Sequence, residues 1–240
     1  DLTFHNIDLI GFDKISTKAF GKTAQYINYF DCTYCILYDS PPNYNIWTTL
    51  SQMTQLTQFT MSLNVTEIPT NAIDPIDGQD STIKSATIYS LQNLTIKSNA
   101  FNKLNGLQML TFLSNNFTSI ESAAFNFSGQ SDEQLSIFFY NIQVSGDAFG
   151  KDLFGLTIRP IVLYLQSTNL YYFNQSSWSS LLDNGSSGII FHNSLIDCND
   201  CRNLWLNKKI KQMTNPHCQG NTTSTLFDDE IQLKLKSKCK

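Results

Sequence analysis

The sequence predicts an α/β fold: a right-handed solenoid of about eight short parallel strands with a disulfide-bonded C-terminal cap. Three observations lead to it. One short phrase recurs along the chain, alternating apolar residues precede each copy, and four of the six cysteines fall in the last 43 residues. We therefore expect a solenoid over residues 1–197 and a cysteine-rich cap over residues 198–240.

The recurrent phrase is an apolar residue followed four and five positions later by a small residue and an aromatic one. Ile96 with Ala100 and Phe101 is a clear copy. Successive copies end 24 to 29 residues apart, so one structural unit repeats. We expect the final residues of the copies to line one row of the core on the convex side: Phe20, Trp47, Ile73, Phe101, Phe125, Phe149 and Trp178.

The segment before each marker supplies a strand. Residues 107–115 follow the L-x-x-L-x-L-x-x-N pattern of leucine-rich repeats. In such a repeat, alternate apolar residues face the core and an Asn hydrogen-bonds the neighbouring backbone. The same alignment makes Asn64 a buried ladder residue and puts Thr168 at that position of a later repeat. The first strand is expected near residues 2–5 and the last near residues 189–192.

Alternation also assigns the residues of the concave face, which is almost uncharged. They are Thr3, His5, Ile36, Tyr38, Thr60, Ser62, Thr87, Tyr89, Thr111, Leu113, Phe138, Tyr140, Tyr164, Gln166, Ile190 and His192. The residues predicted to bind a partner are Tyr38, Tyr89, Leu113, Phe138, Tyr140, Tyr164 and His192, because rings give contact area at low entropic cost. A slip of one residue would instead put Phe138 and Tyr140 in the core.

An even number of cysteines in a chain rich in glycosylation sequons favours disulfides and an extracellular location. All six are expected to pair: Cys32, Cys35, Cys198, Cys201, Cys218 and Cys239. We interpret Cys32 and Cys35 as a local staple at the start of a repeat strand. Zinc binding by the Cys-x-x-Cys pairs and a redox role for Cys32 and Cys35 are the alternatives.

The cap segment contains Cys198-Asn-Asp-Cys201, then Trp205 between two leucines, then Cys218 and Cys239. It resembles the C-terminal cysteine-flanking cap of extracellular leucine-rich-repeat proteins. This resemblance implies the bonds Cys198–Cys218 and Cys201–Cys239, with Trp205 packed over the last repeat. The whole chain is similar to secreted arthropod leucine-rich-repeat proteins related to the non-catalytic subunit of Oplophorus luciferase, which implies a non-catalytic role.

Seven Asn-x-Ser/Thr sequons mark candidate sites for N-linked glycans. They lie at Asn64, Asn93, Asn116, Asn126, Asn174, Asn184 and Asn221. Exposure and hence glycans are expected at Asn126, Asn174, Asn184 and Asn221, whereas a buried Asn64 would have no room for one. The start at Asp1, without a basic and apolar leader, fits a mature secreted chain. No apolar run is long enough for a membrane helix.

The sequence offers few residues in arrangements that are typical of catalytic sites. His5, His192 and His217 lie far apart, and no phosphate-binding, zinc-protease or serine-hydrolase motif is present. We therefore predict a protein that is not an enzyme and needs no cofactor or metal. Nucleic acid is not expected as a partner, because residues 1–197 carry 8 basic and 16 acidic side chains.

Two functions follow from these patterns, and an enzyme whose site is assembled from residues far apart in the sequence is a third alternative. The first is an extracellular protein-binding or scaffold module that uses the aromatic concave face. The alternative is a structural glycoprotein that associates with further copies of itself. Residues 198–240 carry 8 basic and 4 acidic side chains, so a basic cap could meet the acidic body of the next copy.

Overall fold

The computed structural model describes residues 6–10, 16, 18–37, 45–75, 81–90, 92–127, 129, 131–168 and 170–239. Side chains are described for all of these except residues 6–10, 34–37 and 221–222. Thr3, His5 and Tyr38 lie outside the described residues, as does the strand expected at residues 2–5. The first described strand is Asn6–Ile10.

The elements follow one another as a mixture of short strands and short helices. The strands are β1 (Asn6–Ile10), β2 (Tyr29–Leu37), β3 (Gln58–Leu63), β4 (Glu67–Ile68), β5 (Ser85–Ser90), β6 (Asn93–Ile96), β7 (Met109–Leu113), β8 (Asn116–Ile120), β9 (Leu135–Tyr140), β10 (Ile161–Gln166), β11 (Gly188–His192), β12 (Leu195–Ile196), β13 (Met213–Thr214), β14 (His217–Cys218) and β15 (Asn221–Thr225). The α-helices are α1 (Ile46–Ser51), α2 (Gln175–Asp183) and α3 (Asp229–Lys238), and 3-10 helices span Gly21–Tyr26, Gly146–Ala148, Cys201–Lys208 and Ile210–Gln212.

One large parallel sheet dominates the described part of the chain. Its strand order is β1-β2-β3-β5-β7-β9-β10-β11-β13, so each strand pairs with the next one along the chain in this layer. A smaller parallel sheet, β4-β6-β8, consists of strands that each follow a strand of the large sheet in the sequence. Strands β12, β14 and β15 form a third sheet near the C-terminus. The fold class is therefore mixed α/β with a repeat-like parallel sheet.

The strands of the large sheet alternate between buried and partly exposed residues. In β9, Leu135, Ile137 and Phe139 are buried, whereas Phe138 and Tyr140 are partly exposed. The alternative with Phe138 and Tyr140 in the core is wrong, because Phe139 fills that place at 1% exposure. The period-2 pattern of the segment thus fixes which face meets the core.

A left-handed residue follows four strands of the large sheet at the same place. Ser114, Asn141, Ser167 and Asn193 have φ between 50° and 52°. The backbone N–H of Asn141, for example, donates to Gln166 O on the next strand at 2.9 Å. Asn tolerates this conformation better than most residues with a side chain. The abundance of Asn in the sequence has part of its explanation in these turns.

Six of the seven marker residues are buried, with exposures of 4% or less, and Phe20 is partly buried against the core. The rings of Phe101 and Phe125 stack with centroids 5.9 Å apart, and those of Phe149 and Trp178 lie 4.8 Å apart. The recurrent phrase therefore marks residues of the core in every described copy.

A ladder of polar side chains joins successive repeats. Asn115 Nδ2 donates to Ile88 O at 3.1 Å, and Thr168 Oγ1 donates to Phe139 O at 2.9 Å. Both residues are fully buried, as the pattern predicted for them. The prediction for Asn64 is wrong. Asn64 is partly exposed and its Oδ1 accepts from the Gln92 amide.

The error at Asn64 has a simple geometric cause. Asn115 follows Ser114, whose left-handed backbone turns the chain, whereas the residue before Asn64 is Leu63, the last residue of β3, which lacks that conformation. Strand β2 also departs from expectation. Phe30 and Asp31 pair with Phe59 and Thr60, so β2 begins well before the predicted outward residue Ile36, whose side chain is not described.

The cap contains the two disulfides that the resemblance implied. Cys198 bonds Cys218, and Cys201 bonds Cys239. These bonds exclude zinc ligation by those four cysteines. Cys32 is also disulfide-bonded, but the side chain of its expected partner Cys35 is not described. Cys32 lies within β2 and not at its start.

Two cap side chains bind the backbone that precedes α2. Trp205 Nε1 donates to Phe173 O at 2.9 Å, so Trp205 contacts the last repeat, and its helix is of the 3-10 type. Asn203 is fully buried; its Oδ1 accepts from Phe173 N and its Nδ2 donates to Tyr171 O and Asp197 O, each at 2.9 Å. These hydrogen bonds attach the cap to the backbone of the last repeat.

Candidate protein-binding face

The large sheet has one face on the core and one face away from it, which we call the outer face. One row of residues, the central row, crosses the middle of this face, and each member pairs directly with the next member on the neighbouring strand. This row consists of Asp31, Thr60, Thr87, Thr111, Phe138, Tyr164, Ile190 and Thr214. Its first half consists of Asp31 and three Thr residues, and larger apolar and aromatic residues occupy most of the second.

A second row lies beside the first on the same face. It consists of Ser62, Tyr89, Leu113, Tyr140, Gln166 and His192. The two rows together hold all six described residues that the sequence assigned to partner binding. Tyr89, Leu113, Phe138, Tyr140 and Tyr164 are partly exposed and His192 is exposed, while Tyr38 lies outside the described residues.

Three rings in the second half of the outer face form an aromatic patch: Phe138, Tyr140 and Tyr164. The rings of Phe138 and Tyr164 are stacked with centroids 4.4 Å apart and an interplanar angle of 11°. Phe138 and Tyr140 lie 5.7 Å apart at 6°. Because the rings hold one another in place, the patch loses little side-chain entropy when a partner covers it.

Charge is nearly absent from this face. The described outer-face positions of β3, β5, β7, β9, β10 and β11 carry no Asp, Glu, Lys or Arg. Not every position is accessible, because Ser62 and Thr111 are buried at 8% and 7% exposure. Contacts at such a face depend on packing and neutral hydrogen bonds, so they respond weakly to salt.

Asp31 is the acidic residue of the central row, and the sequence analysis missed it. Its Oδ1 accepts from Thr33 N at 2.8 Å and Thr33 Oγ1 at 2.6 Å, and its Oδ2 accepts from Tyr29 OH at 3.0 Å. Burial works to raise the pKa of Asp31, but these hydrogen bonds outweigh it and hold the pKa below its usual value. The alternation of Tyr29, Asp31 and Thr33 with buried Phe30 was the signal that could have placed it.

Two histidines that are distant in sequence line the same cavity, beside the end of the outer face. His192 and His217 line one cavity of about 300 Å³ together with Asn193, Ser194 and Asn215. No third ligand joins them: the described residues contain no group of three or more His, Cys, Asp or Glu that could hold a metal. His5 lies outside the described residues.

The sequons differ in exposure from the sequence-based expectation. Asn93 and Asn116 are exposed, whereas Asn126, Asn174 and Asn184 are only partly exposed. Asn126 Nδ2 donates to Asn99 Oδ1 at 3.0 Å, and Asn184 Nδ2 donates to Ile158 O at 3.3 Å. The side-chain nitrogens of Asn126 and Asn184, which would carry the sugar, are thus already hydrogen-bonded. Asn64 is also partly exposed, and the side chain of Asn221 is not described.

No protein-family model matches the chain, and a search of curated proteins gives no match. Among the described residues, no helix is long and apolar enough to cross a membrane.

Proposed function

We propose that the protein is an extracellular, non-enzymatic leucine-rich-repeat module that binds a protein partner through the outer face. The observation that carries this proposal is the aromatic patch, Phe138, Tyr140 and Tyr164, partly exposed and stacked on a parallel sheet. The patch lies in two rows that extend the contact surface over several strands.

Several features support a right-handed leucine-rich-repeat solenoid. The strands of the large sheet pair in chain order, and strands β4, β6 and β8 form a second parallel sheet in the same order. The buried ladder of Asn115 and Thr168 satisfies backbone carbonyls from one repeat to the next. A polar cap covering the last repeat is what an open solenoid needs.

A protein suits this face better than a small ligand. Tyr and Phe are favoured at the centre of protein interfaces, where a few such residues supply most of the binding energy. The flanking residues Thr87, Leu113 and Gln166 can exclude water around them. The cap disulfides and the sequons favour an extracellular setting for this contact.

A photo-crosslinking amino acid at Gln166, beside the patch, tests the proposal. Gln166 is partly exposed and lies on the same face as Tyr140 and His192. Cross-linking in the native tissue should capture one recurrent protein. The same reagent at Tyr171, which is 41% exposed but lies outside the large sheet, is the matched control and should not capture it.

The captured partner is then purified and its affinity is measured. Replacing Tyr89, Tyr140 and Tyr164 together by Ala should weaken binding more than about 100-fold, since interface tyrosines often contribute 2 kcal/mol or more. The control replaces the exposed Tyr26 and Tyr171 by Ala. Equal affinity of the two variants, with thermal unfolding showing both folded, would reject the outer face as the binding site.

Self-association is a second candidate function, because charge is unevenly divided. Residues 1–197 have a net charge of −8 and residues 198–240 one of +4. Opposite charges favour contact between the cap of one copy and the body of another. Sedimentation should then show assemblies that shrink as salt rises; a monomer at every salt and protein concentration would eliminate this candidate.

A further inference from the structure

The cap carries a cavity of about 570 Å³ that none of the functions above uses. We call it the cap groove. It lies between the first turn of α2, the 3-10 helix Cys201–Lys208 and α3. The lining residues that matter here are Asn174, Arg202, Trp205, Asn207, Lys208 and Lys236. Its size is that of a typical small-ligand site.

The lining of the groove is cationic. It includes Arg202, Lys208 and Lys236 and no carboxylate. Arg202 is already neutralised, because its Nη2 lies 2.6 Å from Asp200 Oδ2 and its guanidinium covers the Tyr172 ring at 3.2 Å. Lys208 and Lys236 form no ion pair within the described part of the chain. These two ammonium groups are therefore available to an anion.

The groove also offers a fixed aromatic ring and several amides. Trp205 is partly exposed, and its bond to Phe173 O holds the indole in one orientation. Asn174, Gln175 and Asn207 line the same space and can donate and accept hydrogen bonds. Asn207 Oδ1 is a buried acceptor that has no donor within the described residues.

The walls of the groove are held together before any ligand arrives. The disulfide between Cys201 and Cys239 joins the 3-10 helix to the residue that follows α3. Lys238 Nζ, one residue earlier, donates to Asn199 O at 2.9 Å. A site whose walls are already fixed loses less entropy on binding.

We infer that the cap groove binds an anionic saccharide. Sulfate or carboxylate groups of the sugar contact Lys208 and Lys236, a pyranose ring packs on Trp205, and the amides meet its hydroxyl groups. An acidic peptide fits less well, because helices line the groove and no strand edge is available there for pairing with an extended backbone. This inference does not depend on the outer face.

Tryptophan fluorescence gives a direct readout of the groove. Trp47 and Trp178 are 2% and 1% exposed, so Trp205, which is partly exposed, is the tryptophan that senses a ligand. The titration uses the full chain carrying Ser176→Ala, which removes the sequon at Asn174 so that no attached sugar fills the groove. A fully sulfated disaccharide should change the emission saturably, and Trp205→Phe should abolish that change.

The charge contribution is measured with two double variants. Lys208→Ala with Lys236→Ala should weaken binding about tenfold or more, since hydrogen bonds to charged groups are worth a factor of that order. The control is Lys22→Ala with Lys103→Ala, two exposed lysines that do not line the groove, which should leave affinity unchanged. Equal loss in both pairs, or none in either, overturns the assignment of the anion to the groove.

Three ligands complete the test. The unsulfated disaccharide should bind at least about tenfold more weakly; equal binding would show that the lysines are not used. Inorganic sulfate should compete only at much higher concentration; competition at the concentration of the disaccharide overturns the part played by the sugar. An acidic hexapeptide that binds as tightly as the disaccharide overturns the saccharide in favour of a peptide.

Discussion

Arg159 is the most deeply buried charge among the described residues, at 1% exposure. Its Nε and Nη2 donate to Glu133 O at 3.0 and 2.8 Å, and its Nη1 donates to Asn105 O at 3.0 Å. Burial lowers the pKa of the guanidinium, and Glu133 partly offsets this. The residue joins three successive loops through their backbone, so its role is structural.

Replacing Arg159 by Met should lower the free energy of unfolding by about 3 kcal/mol, because the partly buried carbonyls of Glu133 and Asn105 lose their donors and each loss costs about 1–3 kcal/mol. Urea unfolding measures the effect. The control Lys151→Met removes an exposed charge and should change stability by less than about 0.5 kcal/mol. A similar small change for both variants would show that water replaces the guanidinium.

The hydrogen-bond partners of Arg159 could not be predicted from the sequence. In the sequence it interrupts an apolar run beside Pro160, and nothing near it identifies a partner. Its acceptors lie 26 and 54 residues away. By contrast, the burial of Thr168 was predictable, because the local pattern of its repeat fixes its position.

At the scale of elements, aromatic side chains of the core contact the rings of the repeats before and after them. Phe125 shows this well, because its ring stacks on Phe101 at 5.9 Å and on Phe154 at 5.7 Å. Phe112 and Phe139 approach it at 6.2 and 6.3 Å. The interior of the middle repeats is thus a continuous set of rings.

Changing Phe125 to Ala should open a cavity among these rings and lower the free energy of unfolding by about 3–5 kcal/mol. Tyr89→Ala, on the outer face, is the matched aromatic control and should cost well under half as much, since Tyr89 is partly exposed. Chemical unfolding of both variants compares them. Equal losses would contradict the assignment of Tyr89 to the outer face.

The register of the elements was predictable where alternation is strong and uninterrupted. Residues 135–140 alternate without exception, and their outward residues were placed correctly. In β2 the Cys-Thr-Tyr-Cys segment breaks the alternation, and the pairing with β3 shifts between Cys32 and Leu37. A local pattern cannot anticipate a shift that depends on the neighbouring strand. Asp31 lies before this shift, so the alternation of Tyr29, Asp31 and Thr33 with buried Phe30 was enough to place it.

At the scale of the whole molecule, the C-terminal end of the large sheet is protected by the cap. The last strand there, β13, is only two residues long, so little backbone pairing covers β11. The two disulfides and Asn203 supply the remaining attachment. We expect this end to depend on its covalent links.

Replacing Cys198 and Cys218 together by Ser should lower the free energy of unfolding by about 2–5 kcal/mol, the usual effect of losing a native disulfide. Limited proteolysis should then begin within residues 198–240. Ser176→Ala with both disulfides intact serves as the control. Cleavage that still begins elsewhere would show that the cap is not the weak end of the molecule.

The order of strands has a mechanical consequence. Since each strand of the large sheet pairs only with the strands before and after it, a chain pulled by its two ends in an optical trap should unravel one repeat at a time. Each repeat would release about 80–105 Å of contour length, given 24–29 residues of extended chain. Arg159 is bonded to two earlier loops, so the three repeats that it joins should unfold together, in one step of roughly three times that length.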